Sequence, residues 1–397
     1  MSSAALPILW ETIMNSIDEV CRQFDSSWRR RNRIIDSKLI VVFLFQNILS
    51  HNTQGYATTL FDLWTRFRGK GAGPRKEKPV AASSMCEARQ KLDENIFKVI
   101  NRRMVDVYEK LIDPREHIWH GLRLFAVDGS KINLPPELFD LGFNQNSSDR
   151  RSPQGLASCL YHLKSKIPYD FALVEHGDER RVAKSHLEFL GEGDCVIYDR
   201  GYFSYALLLE HHKRCVDAVF RLSTGSTFLA IKEFMDDPAE PLETTVVLMP
   251  TKQSKKDIRK RHREIEFLPL KLRVIRYKIG GTTFFLGTTI SSDDLARDLF
   301  PDLYHSRWGI EEFYKIPKAH LQIENFHSKS ARGVKQEVYA SFVLVALTRL
   351  LTNAAEQKIS GQDQALNTPK KRLSNPNLVG RLLLRNREEL KSISNMR

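Results

Sequence analysis

Apolar residues along this chain recur at helical spacing up to about residue 112 and at strand spacing after it. The first part holds dense apolar stretches at 39–49, 60–67 and 96–111, each suited to a buried helix face. The segment GKGAGPRKEKP at 69–79 is glycine, proline and charge, and it separates two helical groups. After it, Ser83 and Ser84 are placed to cap a short helix bearing Glu87, Arg89, Gln90 and Lys91. That helix reads either as a helix-turn-helix element against DNA or as a packing helix with a polar outer face. From Leu122 the runs shorten. Strands are predicted at 122–127, 155–163 and 169–175, a helix at 183–190, a strand at 194–198, a helix at 203–212 and a strand at 216–222.

This order of elements is that of a ribonuclease-H-like α/β fold, a mixed sheet with helices on both faces in which the first and fourth strands are neighbours. About eighty residues then separate Leu222 from a polar helix at Tyr304, far more than a loop needs. Runs at 244–249, 270–279 and 282–290, with Gly280-Gly281 as a hairpin turn, read as an inserted β subdomain. The apolar runs 39–45 and 342–347 are too short to cross a bilayer and read as core helices, so no membrane partner is expected.

Candidate chemistry sits at three places. The runs 122–127 and 195–198 deliver Asp128 in VDGS and Asp199 in DRGY; if they are neighbouring parallel strands, their carboxyl ends bring both acids together. Taken singly, Asp-Gly and Asp-Arg-Gly also serve as turns. The third place is YHSRWGIEEFYKIPK, where Tyr304, Arg307, Glu311 and Lys318 fall within about 60° of one another on a helix. Cations that grip phosphate oxygens beside a carboxylate that takes a divalent ion suit a phosphodiester. An Arg four residues ahead of a Glu is also an ordinary helix-surface pair. Glu312 points about 100° away from Glu311 and falls outside the stripe.

Together, VDGS, DRGY and the Y-x2-R-x3-E-x6-K string resemble the DDE transposases of insertion sequence family four, over residues 120 to 350. The resemblance implies Asp128, Asp199 and Glu311 as catalytic metal ligands for two Mg²⁺ or Mn²⁺ ions, and Tyr304, Arg307 and Lys318 as contacts to the element's end. It implies a helical DNA-binding domain at 1–114, a catalytic core at 115–223 and 292–360, an inserted β-rich subdomain at 224–291 and a basic tail at 361–397. Two departures stand out. Pro317 directly precedes Lys318 and works against a continuous helix. None of Trp10, Trp28, Trp64, Trp119 and Trp308 lies in the insertion, where some relatives stack a flipped base, leaving Phe228, Phe267, Phe284 and Phe285 as alternatives that equally fit a core.

Charge agrees with a nucleic-acid partner. The chain carries 61 Lys and Arg against 48 Asp and Glu, a net +13. The excess gathers in Arg29, Arg30, Arg31 and Arg33, in residues 251–278 with eleven cations against three acids, and in 369–397 with eight against two. Arg200, Lys255, Lys256, Arg259, Lys260, Arg261 and Arg263 are therefore candidate double-stranded DNA contacts. Five scattered cysteines without CxxC spacing speak against zinc and a disulfide framework and fit a reducing compartment. No charged stub with an apolar stretch opens the chain, so a cytoplasmic, nucleoid-associated enzyme is expected. A homodimer is the simplest way to hold two ends. A nuclease of the same fold without strand transfer and a silent DNA-binding derivative share these features, and a two-carboxylate glycosidase leaves the cations unexplained.

Overall fold

The computed structural model describes residues 5–29, 34–51, 53–68, 78–111, 114–141, 143, 153–175, 179–237, 241–261 and 266–366. Five helices lead: α1 (Ala5–Trp28), α2 (Ser37–Leu49), α3 (Tyr56–Arg68), α4 (Ala82–Lys91) and α5 (Ile96–Leu111). The carboxylate of Asp36 accepts from the Leu39 backbone N–H at 2.7 Å, which sets the start of α2. The expected serine cap of α4 does not form. Ala81 precedes the helix, and Ser83 and Ser84 fall inside its first turn. Arg89 on this helix is 4% exposed and pairs with Glu337, so the side chain serves packing and does not reach toward a groove.

The sheet begins with the short β1 (Ile118–Trp119) beside β2 (Leu122–Asn133), followed by β3 (Gln154–His162) and β4 (Ile167–Glu175) as an antiparallel meander. Helix α6 (Glu179–His186) crosses to β5 (Asp194–Tyr198), which runs parallel to β2. Helix α7 (Tyr205–Arg214) then crosses to β6 (Asp217–Arg221), parallel to β5. The strand order β4-β3-β2-β5-β6 with these directions is ribonuclease-H-like, as the order of predicted elements implied. It makes β2 and β5 neighbours.

After α8 (Leu229–Asp236), β7 (Glu243–Leu248) and α9 (Lys252–Arg261) come the hairpin strands β8 (Leu270–Ile279) and β9 (Thr282–Thr288). Gly280 and Gly281, at φ 53° and 81°, make the turn between them. These strands do not form a sheet of their own. β9 pairs antiparallel with β6 in the register Val219↔Thr288, and the sheet runs on to nine strands ending in β7. The reason is the outer edge of β6, whose ladder would otherwise be left open. Gly287 leaves room for neighbouring side chains, since a Cβ there would lie 2.9 Å from Leu272 of β8 and 3.2 Å from Leu222 just past β6.

The chain closes with α10 (Phe300–His305), α11 (Trp308–Lys315) and α12 (Ala331–Leu366). The run 342–347 lies in α12, which is longer than the apolar run alone suggested. By length and composition Ala331–Glu356 could cross a membrane, but 72% of that window is buried inside this protein. α12 packs on β4 and on α1, α2, α4 and α5, so its apolar surface joins the amino-terminal helices to the sheet. Phe342 stacks on Phe171 of β4 at 5.0 Å. Of the basic segments, Arg30, Arg31, Arg33, Arg263, residues 69–77 and the tail from 367 lie outside the described residues, as do the side chains of Lys260 and Arg261.

Candidate active site

Parallel register brings three polar residues level. β2 and β5 pair as Ala126↔Ile197, so two steps further along each strand Asp128 stands beside Asp199. β5 and β6 pair as Tyr198↔Phe220, so one further step sets Asp199 beside Arg221. Asp128 does not end its strand. β2 continues to Asn133 against β3, with Asp128↔Cys159, which removes the turn reading of Asp-Gly. Gly129 is there for space, because a Cβ would sit 2.6 Å from Leu156. Asp199 directly follows β5 and precedes a single 3₁₀ turn, Arg200–Tyr202.

The helix expected from Tyr304 to Lys318 is broken twice. Between α10 and α11 the bonding tightens: the Arg307 N–H donates to Tyr304 O and the Ile310 N–H to Arg307 O, at 3.1 and 3.0 Å. Tightening to about three residues per turn brings i and i+3 into line, and the Arg307 guanidinium lies 5.7 Å from the Tyr304 ring centroid. After Lys315 the chain widens into a π-turn, Ile316–His320, in which the Leu321 N–H donates to Ile316 O at 3.1 Å. Pro317 has no N–H and is accommodated there. Lys318 consequently leaves the stripe and donates to Lys131 O at 2.8 Å. That is three residues past Asp128, about 10 Å along the strand. The Tyr314 hydroxyl, 2.9 Å from Asp128 O and 2.8 Å from Ala157 O, clamps α11 to β2 and β3.

One buried cation, Arg307 at 5% exposure, gathers the acids. Its Nη2 donates to Glu311 Oε1 at 2.6 Å, and its Nη1 lies 3.8 Å from Asp128 Oδ2. Asp199 accepts from the Tyr304 hydroxyl at 3.1 Å and lies 3.7 Å from Arg221. Burial works against the Arg307 charge, but Tyr304, Glu311, Asp199 and Asp128 outweigh it and raise its pKa. Burial also pushes Tyr304 up to about 12. Asp199 is held below the usual carboxylate range: burial opposes this, and the Arg200 N–H, Arg307, Tyr304 and Arg221 prevail.

Asp128 goes the other way. Burial, with Glu311 and Glu179 nearby, pushes it from 3.8 to about 6 despite the Gly129 N–H at 2.9 Å and Arg307. A carboxyl raised in the folded state binds its proton more tightly there than in the unfolded chain. Its contribution to stability is therefore greatest in acid and is lost between about pH 4 and about pH 6. The loss is on the order of 3 kcal/mol. Thermal unfolding of the metal-free chain should fall more steeply over that window in the wild type than in Asp128→Asn, and parallel curves would refute the assignment.

The other expected residues are spread more widely. Glu312 pairs with Lys315, away from the guanidinium. Arg200 is exposed beside Asp199. On α9, Lys255 and Arg259 lie over the Phe267 ring at 5.8 and 5.4 Å, while Lys256 is exposed. Phe267 thus supports cations, Phe284 stacks on Tyr277, Phe285 is 8% exposed and Phe228 packs on the core.

Three residues at the site were not singled out from the sequence, although Tyr202 is the tyrosine of DRGY. Arg221 ends β6 and joins the site only through the sheet register. Glu179 opens α6 with Oε2 3.7 Å from the place of a Gly201 Cβ, and it raises Asp128. Tyr202 is 2% exposed and its hydroxyl has no hydrogen-bond partner among the described residues, while Asp128, Glu179 and Asp199 all act on it. A Ser158–His186–Asp170 chain, at 3.0 and 2.7 Å, is sealed in the core at 0%, 0% and 4% exposure. With no access for a substrate it acts as a tie from α6 to β3 and β4, not as a nucleophilic triad. The Asp199 and Glu311 side chains are 43% and 48% exposed, so the acids border open surface. A separate cleft of about 620 Å³ lies by Tyr56, Arg89 and His327, and none of the three acids lines it.

Fold and site define an α/β protein that gathers acidic side chains from neighbouring parallel strands and a helix packed beside them. The chain belongs to the family described as the transposase DDE domain, whose match covers residues 119–347. Membership makes it an enzyme of DNA phosphodiester chemistry, and proteins of this family generally use divalent metal ions. No protein of curated function matches it. Among solved structures it is similar to a piggyBac transposase in a synaptic complex with hairpin DNA, at 9% identity, covering 97% of this chain and 78% of that one, with a TM-score of 0.48.

Proposed function

We propose that this chain is the transposase of an insertion sequence of family four, which binds the terminal inverted repeats of its element, cuts the strands there and joins the freed ends to target DNA. The observation that most supports the reading is that Asp128 and Glu311, remote in sequence, meet the Arg307 guanidinium, and that Asp199 feels the same charge while lying 3.7 Å from Arg221. All three offer carboxylate oxygen, the donor type that Mg²⁺ and Mn²⁺ prefer, and they already enclose a positive charge. Among the described residues no three His, Cys, Asp or Glu stand close enough to hold a metal as they are. Fit is therefore a matter of donor chemistry, with the guanidinium standing where positive charge is wanted.

In this reading Asp128, Asp199 and Glu311 hold two divalent ions, which supply a water or 3′-hydroxyl nucleophile and stabilise the leaving oxygen. Arg307 grips a phosphate by its fork, Tyr304 orients Asp199 and contacts phosphate, and Lys318 adds a point charge further along β2. Arg200, with Lys255, Lys256, Arg259, Lys260, Arg261 and Arg263, follows the DNA backbone. The helical segment 1–114 and the tail from 361 add contacts, two copies hold two ends, and the enzyme works in the cytoplasm at the nucleoid.

The test is to incubate the chain in Mg²⁺ with linear DNA carrying the sequences that flank its gene, together with supercoiled plasmid. Joined products are expected. Cutting without joining would replace the transposase with a nuclease of the same fold, and no cutting in Mg²⁺ or Mn²⁺ would overturn the reading.

A further inference from the structure

Arg307 holds two incompatible positions in the proposed chemistry. It occupies the centre of the acids, with 2.6 Å to Glu311 and 3.8 Å to Asp128, and it is 5% exposed. A divalent cation among the same carboxylates would face that guanidinium at close range in a partly desolvated site, where like charges repel strongly. Consistent with this, no described trio of acids is ready for a metal. The guanidinium is also not fully used: its Nε is buried without a hydrogen-bond partner among the described residues. A phosphate oxygen pair fits a guanidinium edge through two N–H groups, so an anion arriving beside the exposed Glu311 carboxylate would draw the fork off Glu311 and give the buried Nε a partner.

We propose that Arg307 couples DNA-end binding to divalent-cation binding: in the free chain it neutralises Asp128, Asp199 and Glu311, and a DNA phosphate that takes it over releases the carboxylates for the cation. The inference rests on the function proposed above. Glu311 is the moving part, since it stands on α11 and pairs with the Arg307 fork, whereas Asp128 lies within β2 and accepts from the Gly129 N–H, and Asp199 accepts from the Tyr304 hydroxyl. By linkage, DNA raises cation affinity and the cation raises DNA affinity by the same factor. A chain without DNA thus keeps its site closed to the metal.

The experiment is calorimetric titration of the full chain with Ca²⁺, an oxygen-seeking ion, with and without a duplex of the sequence flanking the gene. DNA is expected to tighten Ca²⁺ binding by about tenfold or more in the wild type. Arg307→Gln is expected to bind Ca²⁺ about tenfold tighter without DNA and to lose the effect of DNA. Arg307→Lys, which keeps the charge, should stay near the wild type. Unchanged or weaker Ca²⁺ binding by a folded Arg307→Gln chain overturns the coupling. If circular dichroism shows that variant to be unfolded, the wild-type pair of titrations decides, and equal affinity with and without DNA overturns it. Asp128→Asn and Glu311→Gln separate the two levels of inference. If both leave Ca²⁺ binding intact, the carboxylate site itself is wrong; if both abolish it and DNA has no influence, only the coupling falls.

Discussion

Glu311→Gln is expected to lower strand cleavage by at least 10²–10³-fold, the order seen when a group aimed at the charge of a transition state is removed, while Glu312→Gln stays near the wild type. The two glutamates are chain neighbours with the same propensity and the same substitution, so helix stability cancels between them. Their surroundings differ. Glu311 accepts from Arg307, which also faces Asp128, and Glu312 pairs with Lys315 at the surface. A surface pair of that kind contributes about 0–1 kcal/mol. End binding by Glu311→Gln should survive, because the substitution removes a negative charge from the surface proposed to face DNA and adds none. Gel-shift and cleavage assays on the same preparations separate the effects. Equal losses in the two variants would remove Glu311 from the site.

The second large effect concerns stability. Arg89→Met should destabilise the fold by about 3–5 kcal/mol, the range for removing one partner of a buried ion pair. Arg89 and Glu337 are each buried to 4% side-chain exposure and meet at 3.0 Å. Arg89 also donates to Gln336 Oε1, to Gly333 O and to the Tyr56 hydroxyl, so α4 is tied to the start of α12 and to α3. Glu337 in turn accepts from the backbone N–H groups of His327 and Ser328. Losing the guanidinium leaves a buried carboxylate with only backbone partners. Pairing the change with Glu337→Met should recover part of the loss, less than all because the 327–328 turn loses its acceptor. Denaturant midpoints of the single and double variants measure both. A near-neutral Arg89→Met would return Arg89 to the pool of DNA-contact candidates.

Arg89 also marks where the sequence was ambiguous. A short helix with Glu, Arg, Gln and Lys has the composition of a recognition helix, and nothing local says that one of its cations faces inward. The partners lie some 245 residues away on α12. The inserted β segment met the same limit. Its strands were legible from alternation and from Gly280-Gly281, but their attachment to β6 depends on an unpaired edge created elsewhere. Period also misled at the Tyr304 string. A helix wheel assumes 3.6 residues per turn, whereas the backbone tightens before Arg307 and widens at Pro317.

The choice of Asp128, Asp199 and Glu311 rested on motifs that resemble a known family, whereas local pattern by itself determined the amino-terminal helices and the strand and helix order of the central sheet. Those features follow from short-range sterics and from the alternation of apolar residues, both written in neighbouring positions. Only tertiary structure decided that Arg307 stands between the acids, that Asp128 keeps its proton up to about pH 6, and that Arg221, Glu179 and Tyr202 border the site. Charge and burial at a point in space depend on strand register and on helices packed from distant parts of the chain, and no window of sequence contains them.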